Sequence, residues 1–133
     1  MIGNGKRVLV ADDEVLIGCL LAEHLELHHF AVVAVPDGLQ ALRELHQRHF
    51  DAVITDLHMP YFDGLDLLGQ CHLVWPELPV ILMSENLIDV VGSAMALGVA
   101  ACLHKPVDPE KLIHVLSAAI VRPVAPVATT SMT

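Results

Sequence analysis

Three carboxylates, one hydroxyl and one amine carry the chemical interest of this sequence, because each stands at the end of a short apolar run. Asp12 and Asp13 follow Arg7–Ala11, Asp56 follows residues 52–55, Ser84 follows residues 79–83, and Lys105-Pro106 follows residues 100–103. Three carboxylates brought into one space repel one another and raise their own pKa values unless a cation sits among them. Mg²⁺ is suited to such a set: it takes oxygen ligands, keeps several waters, and binds through one or two carboxylates plus phosphate. Lys105 adds a positive charge that can meet a phosphoryl oxygen, and Ser84 can donate a hydrogen bond to another. Asp56 leads into Leu57-His58-Met59-Pro60-Tyr61-Phe62-Asp63-Gly64, a stretch rich in turn formers. A carboxylate at the mouth of a buried strand and the start of a loop is placed for chemistry rather than packing. The chemistry these groups suit is transfer of a phosphoryl group onto a carboxylate, with Asp56 as the nucleophile. The remaining groups would position the phosphoryl and neutralise its charge.

The elements that must bring these residues together alternate regularly. Arg7–Ala11, 30–35, 52–55, 79–83 and 100–103 read as buried strands, being continuous apolar runs of the kind covered on both faces. Between them, Leu16, Ile17, Leu20, Leu21 and Leu25 recur at helical spacing over 14–28, with acids in the first turn to suit the helix dipole. Leu39, Leu42 and Leu45 mark the inward face of a second helix that Asp37 can cap. A third helix over about 65–74 stops before Pro76, a fourth over 87–97 is closed by Gly98, and Asp108-Pro109-Glu110 opens a fifth that runs to about residue 121. Five strands alternating with five helices predict an α/β fold, a doubly wound parallel sheet with helices on both sides. In such a sheet, ligands bind beyond the carboxyl ends of the strands. Residues 1–121 are therefore expected to form one domain, and 122–133, rich in Pro, Ala and Thr, a flexible tail or linker.

Composition narrows the partners. A chain of 133 residues with 54% apolar content can bury a core of its own. Seven scattered Lys and Arg residues and a net charge of −9 argue against direct nucleic-acid binding. Three widely spaced cysteines without a CxxC pair, no signal peptide and no uninterrupted apolar run of about 18 residues or more point to a cytoplasmic protein with no membrane span.

At this point the ordered set resembles a known family. Asp12-Asp13, Asp56 with Met59-Pro60 and Asp63-Gly64, Ser84 and Lys105-Pro106 look like the receiver domain of bacterial two-component response regulators, over about residues 6–121. The resemblance implies the flavodoxin-like strand order 2-1-3-4-5 and Asp56 as phosphoacceptor. It implies Mg²⁺ held by Asp13, Asp56 and the backbone carbonyl of His58, with Asp12 acting through metal-bound water. Lys105 would contact the phosphoryl group, Ser84 would turn towards it, and the Lys105-Pro106 bond would be cis. The phosphoryl donor would be a phosphohistidine on a sensor histidine kinase or phosphotransfer protein. The product would be a conformational state rather than a turned-over substrate, so the chain is not expected to be an enzyme beyond catalysing its own phosphorylation and dephosphorylation.

Four positions set this chain apart within that pattern. Cys102 stands where the family usually has an aromatic ring that swings with the hydroxyl. Glu85 stands where it usually has a small residue. His58 and Asn86 occupy two variable positions that tune acyl-phosphate hydrolysis, so a non-typical lifetime is expected.

Two rival readings stand beside this one. A phosphorylation-independent interaction module of the same fold would carry Glu85 and Cys102 as signs of drift. A Mg²⁺-dependent phosphohydrolase using Asp56 is disfavoured by His58, where one such class has a second aspartate. Two further features stand out. Residues 87–97 leave little polar face beyond Asp89 and Ser93, so this helix or strand five is expected to meet another receiver or a partner. Among nine histidines, His24 and His28 are spaced as a helix-surface metal pair, with no third ligand evident in the sequence.

Overall fold

The computed structural model describes residues 2–121. Five strands alternate with five helices: β1 (Arg7–Ala11), α1 (Val15–Leu27), β2 (Ala31–Val35), α2 (Gly38–Gln47), β3 (Ala52–Asp56), α3 (Gly64–Val74), β4 (Val80–Ser84), α4 (Leu87–Ala96), β5 (Ala101–His104) and α5 (Pro109–Val121). The strands form one parallel sheet in the order β2-β1-β3-β4-β5. The order reverses at β1, which pairs β2 on one side and β3 on the other. That reversal is the switch point where an α/β sheet opens a crevice beyond its carboxyl edge. The expected tail, 122–133, lies outside the described residues.

Alternation along the strands divides the core into two layers. Leu9, Val53 and Leu82 face α2, α3 and α4, where they meet Leu45, Leu67, Leu68 and Cys71. Val8, Val10, Ile54, Ile81 and Met83 face α1 and α5, where they meet Leu21, Leu25, Leu112 and Leu116. Each fully buried aliphatic side chain contributes about 1.5–3 kcal/mol relative to exposure. β1, β3 and β4 are nearly closed to solvent, which makes them the rigid rods from which Asp12, Asp56 and Ser84 project.

Several elements depart from the sequence expectation. β2 and β5 are the two edges of the sheet and are only partly buried, because strand order leaves each of them one neighbour. Leu39 is exposed; Leu45 faces inward as expected, and Ala41 joins it there. α1 has no acid in its first turn; Glu14 is its N-cap residue, and Gly18, Leu21 and Leu25 are its buried side. Leu16 is 71% exposed and Leu20 54%, since the apolar residues of α1 spread beyond the one face it buries. The two expected caps form. Asp37 accepts from the Gln40 N–H at 2.7 Å, and Asp108 accepts from the Glu110 N–H at 3.1 Å. A third cap was not foreseen: Asp63 and Asp66 form a reciprocal capping box on α3. His29 follows α1 with φ 71°, so this histidine occupies the left-handed exit that often falls to glycine. The Lys105-Pro106 bond is cis.

Candidate functional site

The strand ends converge. One carboxylate oxygen from each of Asp12, Asp13 and Asp56 lies within 4.8 Å of the others. Asp12 and Asp56 are buried, while Asp13 is exposed at the rim. Lys105 reaches across from the end of β5, its Nζ 3.2 Å from Asp56 Oδ2 and 3.7 Å from Asp12 Oδ2. Ser84 is fully buried at the end of β4, and its Oγ accepts the backbone N–H of Asn86 at 3.0 Å. Its hydroxyl proton has no acceptor among the described residues. His58 is exposed in the loop after β3.

The charge balance of this crevice is unfavourable as it stands. Burial pushes the Asp12 carboxyl up to about 6, against the lowering effects of the Glu14 backbone N–H and the Lys105 amine; the Asp56 and Glu14 carboxylates push the same way as burial. Burial also works against the charged Lys105 amine, but the Asp12 and Asp56 carboxylates outweigh it and raise its pKa above the ordinary lysine value. Asp12 Oδ2 is buried and has no hydrogen-bond partner among the described residues. A carboxylate oxygen without a hydrogen bond, beside two more carboxylates and offset only by the Lys105 amine, fits a hard divalent cation such as Mg²⁺, whose ligands here would all be oxygen.

Close backbone packing holds Asp56 where it is. The Leu57 N–H donates to the Met83 carbonyl at 2.9 Å, and the Gly64 N–H donates to the Leu57 carbonyl at 2.8 Å, so the loop folds straight back onto β3. A Cβ at Gly64 would collide with the Asp56 carbonyl and crowd the Leu57 backbone. The Asp63-Gly64 turn is thus tied to the site by contact. Gly38 has the same relation to Phe62, whose carbonyl a Cβ at position 38 would strike, so α2 also buttresses the loop.

Glu14 is the site residue that sequence reasoning passed over. Its Oε1 lies 3.5 Å from Lys105 Nζ, on the solvent side of the amine. Its place directly after Asp12-Asp13 was visible, but nothing in its spacing indicated that the lysine would reach it. Cys102 packs against the α2–α4 side of the core, and Glu85 is exposed beside Lys105 in the groove between α1 and the start of α5. All three cysteines are free; Cys71 is buried, but Cys19 is exposed, because it lies on the outer side of α1.

Comparison with known proteins bears on the family and the fold. The family model described as the response regulator receiver domain matches residues 8–117. The transcriptional regulatory protein ZraR of Klebsiella oxytoca is 31% identical over 121 residues, which are 90% of this chain and 27% of that protein. The 3',5'-cyclic-nucleotide phosphodiesterase regA of Dictyostelium discoideum is 36% identical over 112 residues, 80% of this chain and 14% of that protein. The chain therefore spans a minor part of the length of the curated relatives it matches. Among solved structures, a response regulator receiver domain protein from Clostridium thermocellum superposes with a TM-score of 0.84 at 30% identity, covering 88% of this chain and 95% of that one. The strand order, the acidic crevice and a family match over most of its length agree, and this chain belongs to the response regulator receiver domains.

Proposed function

We propose that the chain is a phosphoacceptor: a signalling switch that takes a phosphoryl group from a phosphohistidine onto Asp56. The supporting observation is the convergence on Asp56 of one amine, at 3.2 Å, and two further carboxylates within 4.8 Å. In the transfer, an Asp56 carboxylate oxygen attacks phosphorus and an O–P bond forms. The P–N bond of the phosphohistidine breaks, its electron pair returns to the imidazole nitrogen, and that ring takes up a proton from solvent. Lys105, freed from its pairing with Asp56, meets a phosphoryl oxygen, and Ser84 directs its unpartnered hydroxyl proton at another. Asp13, Asp56 and the His58 carbonyl would hold Mg²⁺, with Asp12 acting through water. Bound Mg²⁺ offsets the carboxylate repulsion and the charge of the phosphoryl oxygens. The donor would be a sensor histidine kinase or a histidine phosphotransfer protein.

Treatment with acetyl phosphate and Mg²⁺ followed by intact-mass measurement tests this reading. The expected result is one labile phosphoryl adduct, absent in Asp56→Asn. No adduct would leave the phosphorylation-independent module, and steady turnover of the donor without an adduct would leave a hydrolase.

The output of the switch is proposed to pass through α4. Val90 and Ala94 are its buried side, while Ile88 is 93% exposed and Met95 69%, with Val91 beside them. An apolar outer face on a short helix suits coverage by a second copy of the chain. Mass measured across concentration, with and without a phosphoryl mimic, is expected to show concentration-dependent dimer that Ile88→Glu abolishes. A strict monomer in both states would remove this part of the reading.

A further inference from the structure

We infer that His24, His28 and Glu110 form a second metal site, of the nitrogen-rich transition-metal class that includes Zn²⁺, joining α1 to α5. The sequence presents His24 and His28 one helical turn apart, which puts both on one side of α1 and its C-cap. The fold brings Glu110, in the first turn of α5, to the same place, so the third ligand comes from a distant part of the chain. One donor atom from each of the three residues lies within 4.8 Å of the others.

The hydrogen bonding presets the ligand atoms. His28 Nδ1 lies 3.1 Å from the His24 carbonyl oxygen, an acceptor only, so Nδ1 carries the proton and Nε2 presents its lone pair. A ligating histidine whose other nitrogen donates to a backbone carbonyl is the usual support for a protein-bound metal. His24 Nε2 is itself buried without a hydrogen-bond partner among the described residues, and Glu110 Oε2 lies 3.7 Å from it. In a tetrahedral zinc site with ligands at about 2.0–2.1 Å, neighbouring donors are about 3.3 Å apart. The His24–Glu110 edge is close to that spacing already, and rotation of the exposed Glu110 and the half-buried His28 supplies the rest.

An ion pair between His24 and Glu110 accounts for less of this. With Glu110 72% exposed, water screens such a pair and it stabilises little, and the pair gives no role to His28. Two imidazoles and one carboxylate leave a fourth position for water, and such a set takes Zn²⁺, Ni²⁺ or Cu²⁺ in preference to Mg²⁺. The two metal sites of the chain would therefore sort their ions by donor type. His24 also lines a groove of about 340 Å³ together with Ile17, Leu20, Lys105, Pro106 and Pro109. A bound ion clamps the two helices that wall this groove, one side of which leads to Lys105.

Calorimetric titration of the full chain, free of any affinity tag, with Zn²⁺ in saturating Mg²⁺ tests the site. One Zn²⁺ per chain is expected. Loss of an outer-shell partner costs a metal site about 10–100-fold, so loss of a ligand in His28→Ala or Glu110→Gln should weaken binding by at least about tenfold. Asp56→Asn should bind Zn²⁺ as the parent does, and Zn²⁺ should raise Tm in the parent but not in His28→Ala. Both ligand variants alter partly or fully exposed side chains, and each can be checked for folding by its metal-free Tm. Absence of Zn²⁺ binding, binding unchanged in both ligand variants, or binding lost with Asp56→Asn would overturn the assignment. None of these outcomes depends on whether Asp56 accepts a phosphoryl group.

Discussion

Asp12, Asp13 and Asp56 on one side, and His24, His28 and Glu110 on the other, each bring three donor atoms within 4.8 Å, yet the two sets are built on opposite terms. The first hangs from strand ends inside the sheet and is made of oxygen alone. Two of its carboxylates are buried, and it carries an unfavourable charge that a cation or a phosphoryl–lysine contact must balance. The second lies across two helices near the surface, contains two neutral-capable nitrogens, and needs no ion to be tolerated. A buried like-charge cluster implies its ligand through its own cost. A surface cluster implies one only through geometry: a preset tautomer and an unpartnered nitrogen.

The largest expected effect is the independence of the two sets. Asp56→Asn should abolish phosphoryl uptake while leaving Zn²⁺ binding intact. His28→Ala should do the reverse, with phosphoryl uptake in Mg²⁺ alone equal to the parent's. A variant that lost both properties would mean that the sets are coupled through α1, and that their separation in the fold has no functional meaning.

The next effect measures the cost stored in the acidic crevice. Asp12 has a folded-state pKa of about 6 against 3.8 for the free side chain, so in the absence of metal the folded state holds its proton more tightly than the unfolded state does. The stabilising contribution is complete below about pH 4 and is lost as pH rises through 6. The upper bound on that loss is about 3 kcal/mol, taking about 1.4 kcal/mol for each pKa unit. Asp12→Asn keeps an oxygen to accept the Glu14 N–H but cannot ionise. In EDTA it should therefore be more stable than the parent at pH 7.5 by up to about 3 kcal/mol, and the difference should vanish near pH 4. Denaturant melts at the two pH values give the answer. Added Mg²⁺ should narrow the gap at pH 7.5 by stabilising the parent more. A variant no more stable than the parent at high pH would show that Lys105 alone already balances the crevice.

How far the sequence foretold each region follows from the same contrast. Residues at strand ends were readable because a parallel sheet brings all its carboxyl edges to one rim; Asp12, Asp56, Ser84 and Lys105 needed only strand boundaries to be grouped. The boundaries came from apolar runs punctuated by Pro, Gly and Asp, and they hold to within a residue or two. Helix faces were less readable. Leucine lies on both sides of α1 and α2: Leu39 was placed inward and lies outward, and the apolar period of α1 did not separate exposed Leu16 and Leu20 from buried Leu21 and Leu25. Small residues such as Gly18 and Ala41, with no hydrophobic signal of their own, take the close contacts. Contacts between helices were not readable at all. Whether Glu110 meets His24 depends on how α5 crosses α1, and nothing in a period of 3.6 residues encodes a crossing.

The smallest expected effect separates two partners of the same lysine. Lys105 Nζ is 3.7 Å from buried Asp12 and 3.5 Å from Glu14, whose side chain is 65% exposed. Distance alone would rank Glu14 first. Burial reverses the order, because water screens the exposed pair and the long Glu14 side chain must be ordered to make it, so such pairs contribute about 0.2–1 kcal/mol. Glu14→Gln should accordingly shift stability by less than about 1 kcal/mol. Its informative readout is the phosphoryl adduct. Glu14 holds Lys105 from the solvent side, while the proposed transfer requires the amine to move with the phosphoryl oxygen. Glu14→Gln should then alter the rate of adduct formation from acetyl phosphate by a few-fold while leaving its site at Asp56. If the variant instead destabilised the fold as strongly as a core substitution, Glu14 would belong to the structural frame of the crevice, and the division between a buried, costly interior and a screened rim would be drawn in the wrong place.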